Sequence, residues 1–99
     1  MENNGYNGYA NYETWLFCVN TDNDQSIYNY FQSVAQEAAG GGTDRAHQLA
    51  QIADTAKEWA EDQRDAAADK LGHGVMTDLI NAALDRIDWQ EVAENILSE

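Results

Sequence analysis

Apolar residues recur every three or four positions through most of this chain, the period of an α-helix that turns one face to a core. Ile27, Tyr28, Phe31, Val34, Ala35 and Ala38 mark a helix from about residue 24 to 39. Ala46, Leu49, Ala53, Ala56, Ala60, Ala67 and Leu71, widened by Ile52 and Trp59, mark the longest one, about residues 44–71. Val75, Met76, Leu79, Ile80, Ala83, Leu84 and Ile87 form the next seam, and Trp89, Val92, Ala93, Ile96 and Leu97 a short last one. Ahead of these, residues 12 to 20 read as a first helix with Trp15, Leu16 and Val19 inward and Cys18 beside them. No stretch sustains the two-residue alternation of a half-buried strand. The pattern predicts an all-α fold, a compact bundle of four to five helices forming a single domain over residues 1–99.

Polar punctuation fits these boundaries. Asn11 is a good N-cap, and Glu13 falls in the first turn, where a carboxylate favours the helix dipole. "TDND", Thr21 to Asp24, is expected to break the first helix, with Asp22 or Asn23 capping the second. Gly40-Gly41-Gly42 ends the second helix, Thr43 caps the third, and Gly72-His73-Gly74 stops it. Asp88 with Glu91 has the spacing of a capping box for the last helix.

The segment before the first helix, "NGYNGYANYETW", carries Tyr6, Tyr9 and Tyr12 ahead of Trp15. Their rings are expected to cover a helix end with the hydroxyls in water. The alternative is an exposed aromatic contact surface, and residues 1–10 also read as a flexible terminal segment.

Composition narrows the class. Zero prolines suits a helical chain, and 43% hydrophobic residues with three Trp argue against disorder despite a net charge of −13. A lone Cys18 makes no internal disulfide and points to a reducing, cytoplasmic location. No run is long and apolar enough for a membrane span, and the N-terminus lacks the basic and apolar regions of a signal peptide.

"NGYANYETW" followed by "DNDQSIYNYF", with "LINAALDRIDWQEVAENI" near the end, resembles a family of small acidic phage and prokaryotic proteins. The carrying positions are Asn11 to Trp15, Asp22 to Asp24, and Ile87 to Ala93; the segment from Gly40 to Gly72 shows little likeness. The resemblance implies a shared fold and a mobile-element setting, and no catalytic residues.

Enzyme chemistry finds no foothold, so the chain is not expected to be an enzyme or to hold a cofactor. A calcium loop starting at Asp22 would place Ile27 where Gly is required and Ser33 where Glu is required. His47 and His73 are the only imidazoles, too few and too far in sequence from Cys18 for a metal site or a Cys–His nucleophile. The triple glycine follows a helix and lacks the lysine of a phosphate loop.

Charge is the informative feature. Eighteen acids face five bases, and residues 1–42 contain no Lys or Arg. Asp54, Glu58, Glu61, Asp65 and Asp69 recur at intervals of four, three, four and four, which puts them on one helix face. Lys57 and Arg64 lie beside that row. Asp78, Asp85 and Asp88 are expected to share a face opposite the Leu79 seam, and Asp22, Asp24 and Glu37 supply the base-free N-terminal region. A solvated face is normally charged, but solubility needs a net charge of only about 2–8. The excess excludes direct binding to nucleic acid or acidic membranes and favours a basic protein surface.

In character the chain is similar to DNA-mimicking anti-restriction and anti-CRISPR proteins. The expected function is inhibition of a host defence complex, a CRISPR effector or restriction enzyme, through its nucleic-acid-binding groove. The alternative is a helical assembly module that forms a homodimer through its aromatic ends and is acidic for solubility alone. Either reading leaves the imidazoles idle: replacing His47 and His73 together should preserve biological activity. Loss of activity in a variant with native circular dichroism would restore a metal or acid–base role.

Overall fold

The computed structural model describes residues 5–42, 44–72 and 74–98; Thr43 and His73 lie outside these, as does the side chain of Leu71. Among the described residues the chain is an all-α bundle of five helices: α1 (Tyr12–Asn23), α2 (Gln25–Gly40), α3 (Arg45–Leu71), α4 (Val75–Arg86) and α5 (Trp89–Ser98). α3, at 27 residues, is about 40 Å long by the helical rise, close to the 43 Å longest dimension of the molecule. It forms the spine, packing on α2, α4 and most extensively on α5.

Four aromatic rings tie four of the helices together. Phe17 of α1 meets Trp59 of α3 and Trp89 of α5 edge-on, with centroids 6.0 and 5.2 Å away. Phe31 of α2 closes the group, 5.4 Å from Trp59. Edge-to-face pairs of this kind contribute about 0.5–1.5 kcal/mol each beyond area burial. Ile52, Ala56, Val92, Ala93 and Ile96 fill the space around them. The alanines of α3 keep its buried face thin, so that α5 can approach closely. α4 contributes no ring and has no fully buried residue.

The α1–α2 boundary departs from the sequence expectation. "TDND" does not break the helix at Thr21; α1 runs on to Asn23, and Thr21 is buried. Its Oγ1 donates to the carbonyls of Phe17 and Cys18, at 2.9 and 3.2 Å, which satisfies the hydroxyl inside the helix. Asp24 alone makes the junction: its extended backbone ends α1 and its carboxylate accepts the Ile27 N–H at 3.1 Å. The cap is therefore Asp24, not Asp22 or Asn23.

The inward face of α1 is also different, built from Thr14, Cys18 and Thr21 with Phe17 alongside. Leu16 is exposed, and Trp15 and Val19 are half-buried. Threonine can replace a hydrophobe here because its hydroxyl is bonded locally. On α3, Asp44 is the N-cap, accepting the His47 N–H at 2.9 Å, and the expected cap Thr43 lies outside the described residues. Ala46 is exposed, while Ala68, which the seam omitted, is buried. The expected α4 seam is corrected most: Val75, Met76 and Leu79 are exposed, and Ile87 is buried only after the helix has ended. Gly72, at φ +82°, provides the turn in which α3 stops.

One buried hydroxyl holds the two ends of the chain together. Thr14 is completely buried; its Oγ1 donates to Asn11 Oδ1 at 2.7 Å and accepts the Asp88 N–H at 2.9 Å. Asn11 caps α1 through the Thr14 N–H and donates from Nδ2 to the Arg86 carbonyl at 2.6 Å. Asp88 caps α5 at the Glu91 N–H, but the capping box is only half formed. Since Thr14 already satisfies the Asp88 N–H, the Glu91 carboxylate turns to the Ala10 N–H at 2.7 Å. Tyr9 adds a hydroxyl bond to Asn95 Oδ1 at 3.0 Å. The "NYET" and "DWQEVAEN" segments are thus two halves of one clamp.

Thr14→Val keeps the shape and strands the Asp88 N–H and one Asn11 acceptor, which should cost about 1–3 kcal/mol. The urea midpoint should fall accordingly, and an unchanged midpoint would show that the clamp contributes nothing.

Candidate functional site

The α3 acidic row survives in the fold as a surface feature. Asp54, Glu58, Asp65 and Asp69 are exposed, and Glu61 is half-buried. Helical geometry spreads the five over about 22 Å of axis and within about 80° of arc. Glu61 is partly covered because the buried face of α3 swings toward Arg64 and Ala68 in its second half, where α4 packs. Arg64 joins the two helices by donating to Asn81 Oδ1 at 3.2 Å, and pairs with Asp65 at 3.1 Å. Among the described residues, no other carboxylate of the row makes an ion pair.

The second expected face is divided. Asp78 and Asp85, seven residues apart, share one exposed side of α4. Asp88 does not join them, because the chain turns at Ile87, extended at φ −69° and ψ 130°, and Asp88 begins α5. The N-terminal acids divide likewise. Asp22 is half-buried and accepts Asn95 Nδ2 at 3.1 Å, Asp24 caps α2, and Glu37 is exposed near the end of α2. Asp22, Asp24 and Asp88 therefore tie or cap helices, whereas the α4 pair and the α3 row, apart from half-buried Glu61, are exposed to solvent.

The tyrosines separate into two groups. Asn7 and Gly8, both at positive φ, form a tight turn in which Tyr6 and Tyr9 exchange backbone hydrogen bonds of 2.8 and 2.9 Å. An Asn-Gly pair is the sequence signal for that turn. Tyr9 packs on the core. Tyr6 and Tyr12 stay exposed and gather with Trp15, at centroid distances of 4.8 to 5.7 Å. Two of the three tyrosines thus form an exposed aromatic cluster, and one is core cover.

A feature absent from the sequence reading is an apolar cleft of about 270 Å³ between α1 and α4. Its walls include Leu16, Phe17, Ile27, Trp59, Ala83 and Ile87, with Glu13 at the rim. Arg86 reaches from the end of α4 to Glu13 at 3.1 Å. The signal for the cleft was α1 itself: it is apolar on both faces, so burying one face leaves the other uncovered.

Glu13 is held below the ordinary carboxylate value first by its own backbone N–H and then by the Arg86 guanidinium. Asp44 is held below its ordinary value by the backbone N–H and then the ring of His47. No group of three or more His, Cys, Asp or Glu among the described residues is arranged to hold a metal ion. No described helix is long and apolar enough to cross a membrane. No family model, curated protein or solved structure matches the chain.

A carboxyl with a depressed folded-state value stabilises the fold above its unfolded value, and that contribution is lost as pH falls through the folded value. Glu13→Gln and Asp44→Asn should therefore lower the urea midpoint at about pH 7, and the loss should shrink as pH falls through the depressed folded-state values. A loss that stays the same as pH falls would mean the effect is packing rather than charge.

Proposed function

We propose that this protein binds a basic protein surface that otherwise holds nucleic acid, and inhibits the owner of that surface by charge complementarity. The observation that supports this reading is the α3 row, five carboxylates along one helix, of which only Asp65 makes an ion pair among the described residues. A net charge of −13 repels nucleic acid itself and acidic membranes, and steers the chain toward basic grooves. One carboxylate per turn of about 5.4 Å is sparser than the phosphates of a strand, roughly 3.4 Å apart. Asp78 and Asp85 on the neighbouring α4 supplement the row. The resemblance of the N-terminal and closing segments to small acidic phage and prokaryotic proteins supports a host-defence target, a CRISPR effector or a restriction enzyme, met in the host cytoplasm.

The exposed Tyr6–Tyr12–Trp15 group favours a second reading, a homodimeric assembly module joined through its aromatic end. Salt separates the two, since groove binding weakens steeply as salt rises and aromatic self-association does not.

Reversing Asp54, Glu58, Asp65 and Asp69 to Lys in pairs should change stability by no more than about 0.5 kcal/mol per site, because all four are exposed. Against a panel of restriction enzymes and CRISPR effectors, the parent protein should displace labelled nucleic acid and the reversed variants should do so far less well. If the α3 reversals and the Asp78/Asp85 reversals all leave displacement unchanged, the charge serves solubility and the inhibitory reading fails.

A further inference from the structure

α4 is the least secured helix of the bundle. The other four each bury several side chains, and α4 buries none. Val75, Met76 and Leu79 are 74%, 55% and 58% exposed, and Leu84 is the one residue of this helix that packs on the core. Asn11, Asp24, Asp44 and Asp88 cap the other helices, whereas Gly74, at the start of α4, has no side chain with which to cap it. α4 packs on α3 and α1 alone. Arg64 donates to Asn81 across the α3–α4 contact at 3.2 Å, and the Glu13–Arg86 pair is open to solvent, where an ion pair contributes little. The Thr77 hydroxyl donates to the Gly72 carbonyl at 2.7 Å, a bond local to the turn that precedes the helix.

We infer that α4 is a hinged lid, which lifts from α3 and α1 while the rest of the bundle stays folded. The two ends of the helix differ in the way a hinge requires. At its end, Ile87 is buried in the core and the Arg86 carbonyl accepts Asn11 Nδ2 at 2.6 Å, so the chain is held there. At its start, Gly72 at φ +82° and the uncapped Gly74 leave the backbone free to turn. Lifting α4 removes only the partial cover of Ile80, Ala83 and Leu84, whereas displacing α5 would expose Val92, Ala93 and Ile96. An isolated helix of 12 residues has little stability in water, so a lifted α4 also regains chain entropy by unwinding. The movement has two consequences. Ala83 leaves the wall of the cleft, which opens Phe17 and Trp59 to solvent. Asp78 and Asp85 travel with the lid, so their distance from the carboxylates of α3 is adjustable. The inference uses only the packing within the bundle and holds whatever partner the protein has.

The test is amide hydrogen exchange of the full chain, followed residue by residue by NMR in low concentrations of urea. After correction for intrinsic rates, the amides from Ile80 to Leu84 should exchange at least about a hundredfold faster than those from Ile52 to Ala60 in α3 and from Ala93 to Leu97 in α5. Their exchange should also rise less steeply with urea, because lifting one helix exposes less surface than unfolding the chain. Two variants separate the lid from other routes of exchange. Ile96→Val weakens core packing that is the same with the lid open or closed. It should speed the α3 and α5 amides several-fold and leave those of α4 unchanged. Leu84→Ala removes the contact that seats the lid, so it should speed the α4 amides by about tenfold or more. Exchange of α4 at the core rate and with the core's urea dependence would overturn the lid, since the bundle then opens as a single unit. An Ile96→Val protein whose α4 amides accelerate in step with those of α5 would overturn it for the same reason. Exchange in α4 that Leu84→Ala leaves unaltered would show fluctuation within a seated helix, and would overturn it as well.

Discussion

The fold depends on a threonine hydroxyl that never reaches water. Thr14 Oγ1 is donor to Asn11 and acceptor from the Asp88 backbone, so the start of α1 and the start of α5 are positioned by the same oxygen. A buried polar group costs about 1–3 kcal/mol when left unpaired, which makes this arrangement strongly directional. Any register of α5 that did not bring the Asp88 N–H to Thr14 would leave that hydroxyl short of a partner. With both helix starts fixed, Phe17 and Trp89 face each other, and the aromatic group that joins α1, α2, α3 and α5 follows.

The clamp also determines what is left outside. It holds α4 only by its last residues, through the Arg86 carbonyl and the Glu13–Arg86 pair. The first half of α4 is consequently free of the aromatic group, and Val75, Met76 and Leu79 remain at the surface. α1 pays a related cost: with Thr14, Cys18 and Thr21 buried, its larger apolar residues Tyr12 and Leu16 face outward. Apolar surface is thereby concentrated on α1 and α4, and exposed carboxylates on α3 and the far side of α4.

The two terminal segments acquire a physical meaning from the same geometry. Asn11, Glu13 and Thr14 on one side and Asp88, Glu91 and Asn95 on the other supply nearly all the polar contacts between the termini. Some carboxylates that looked like recognition residues, among them Asp24 and Asp88, are helix caps. Their exposure does not make them idle.

By itself the sequence determined the helical class, the number of segments and the α3 acidic row, because a 3.6-residue period and a carboxylate spacing are local properties of the chain. It also determined the Asn11 cap and the tie between Asp88 and the Glu91 N–H, since a cap and its target lie within one turn. Tertiary structure alone decided which of two apolar faces of α1 is buried, that Thr21 continues a helix, and that Glu91 serves Ala10 rather than completing its box. It alone decided that the α4 seam stays open. Periodicity shows that a helix has an apolar face, but whether another element covers that face depends on partners distant in sequence, and here the clamp between α1 and α5 assigned those partners elsewhere.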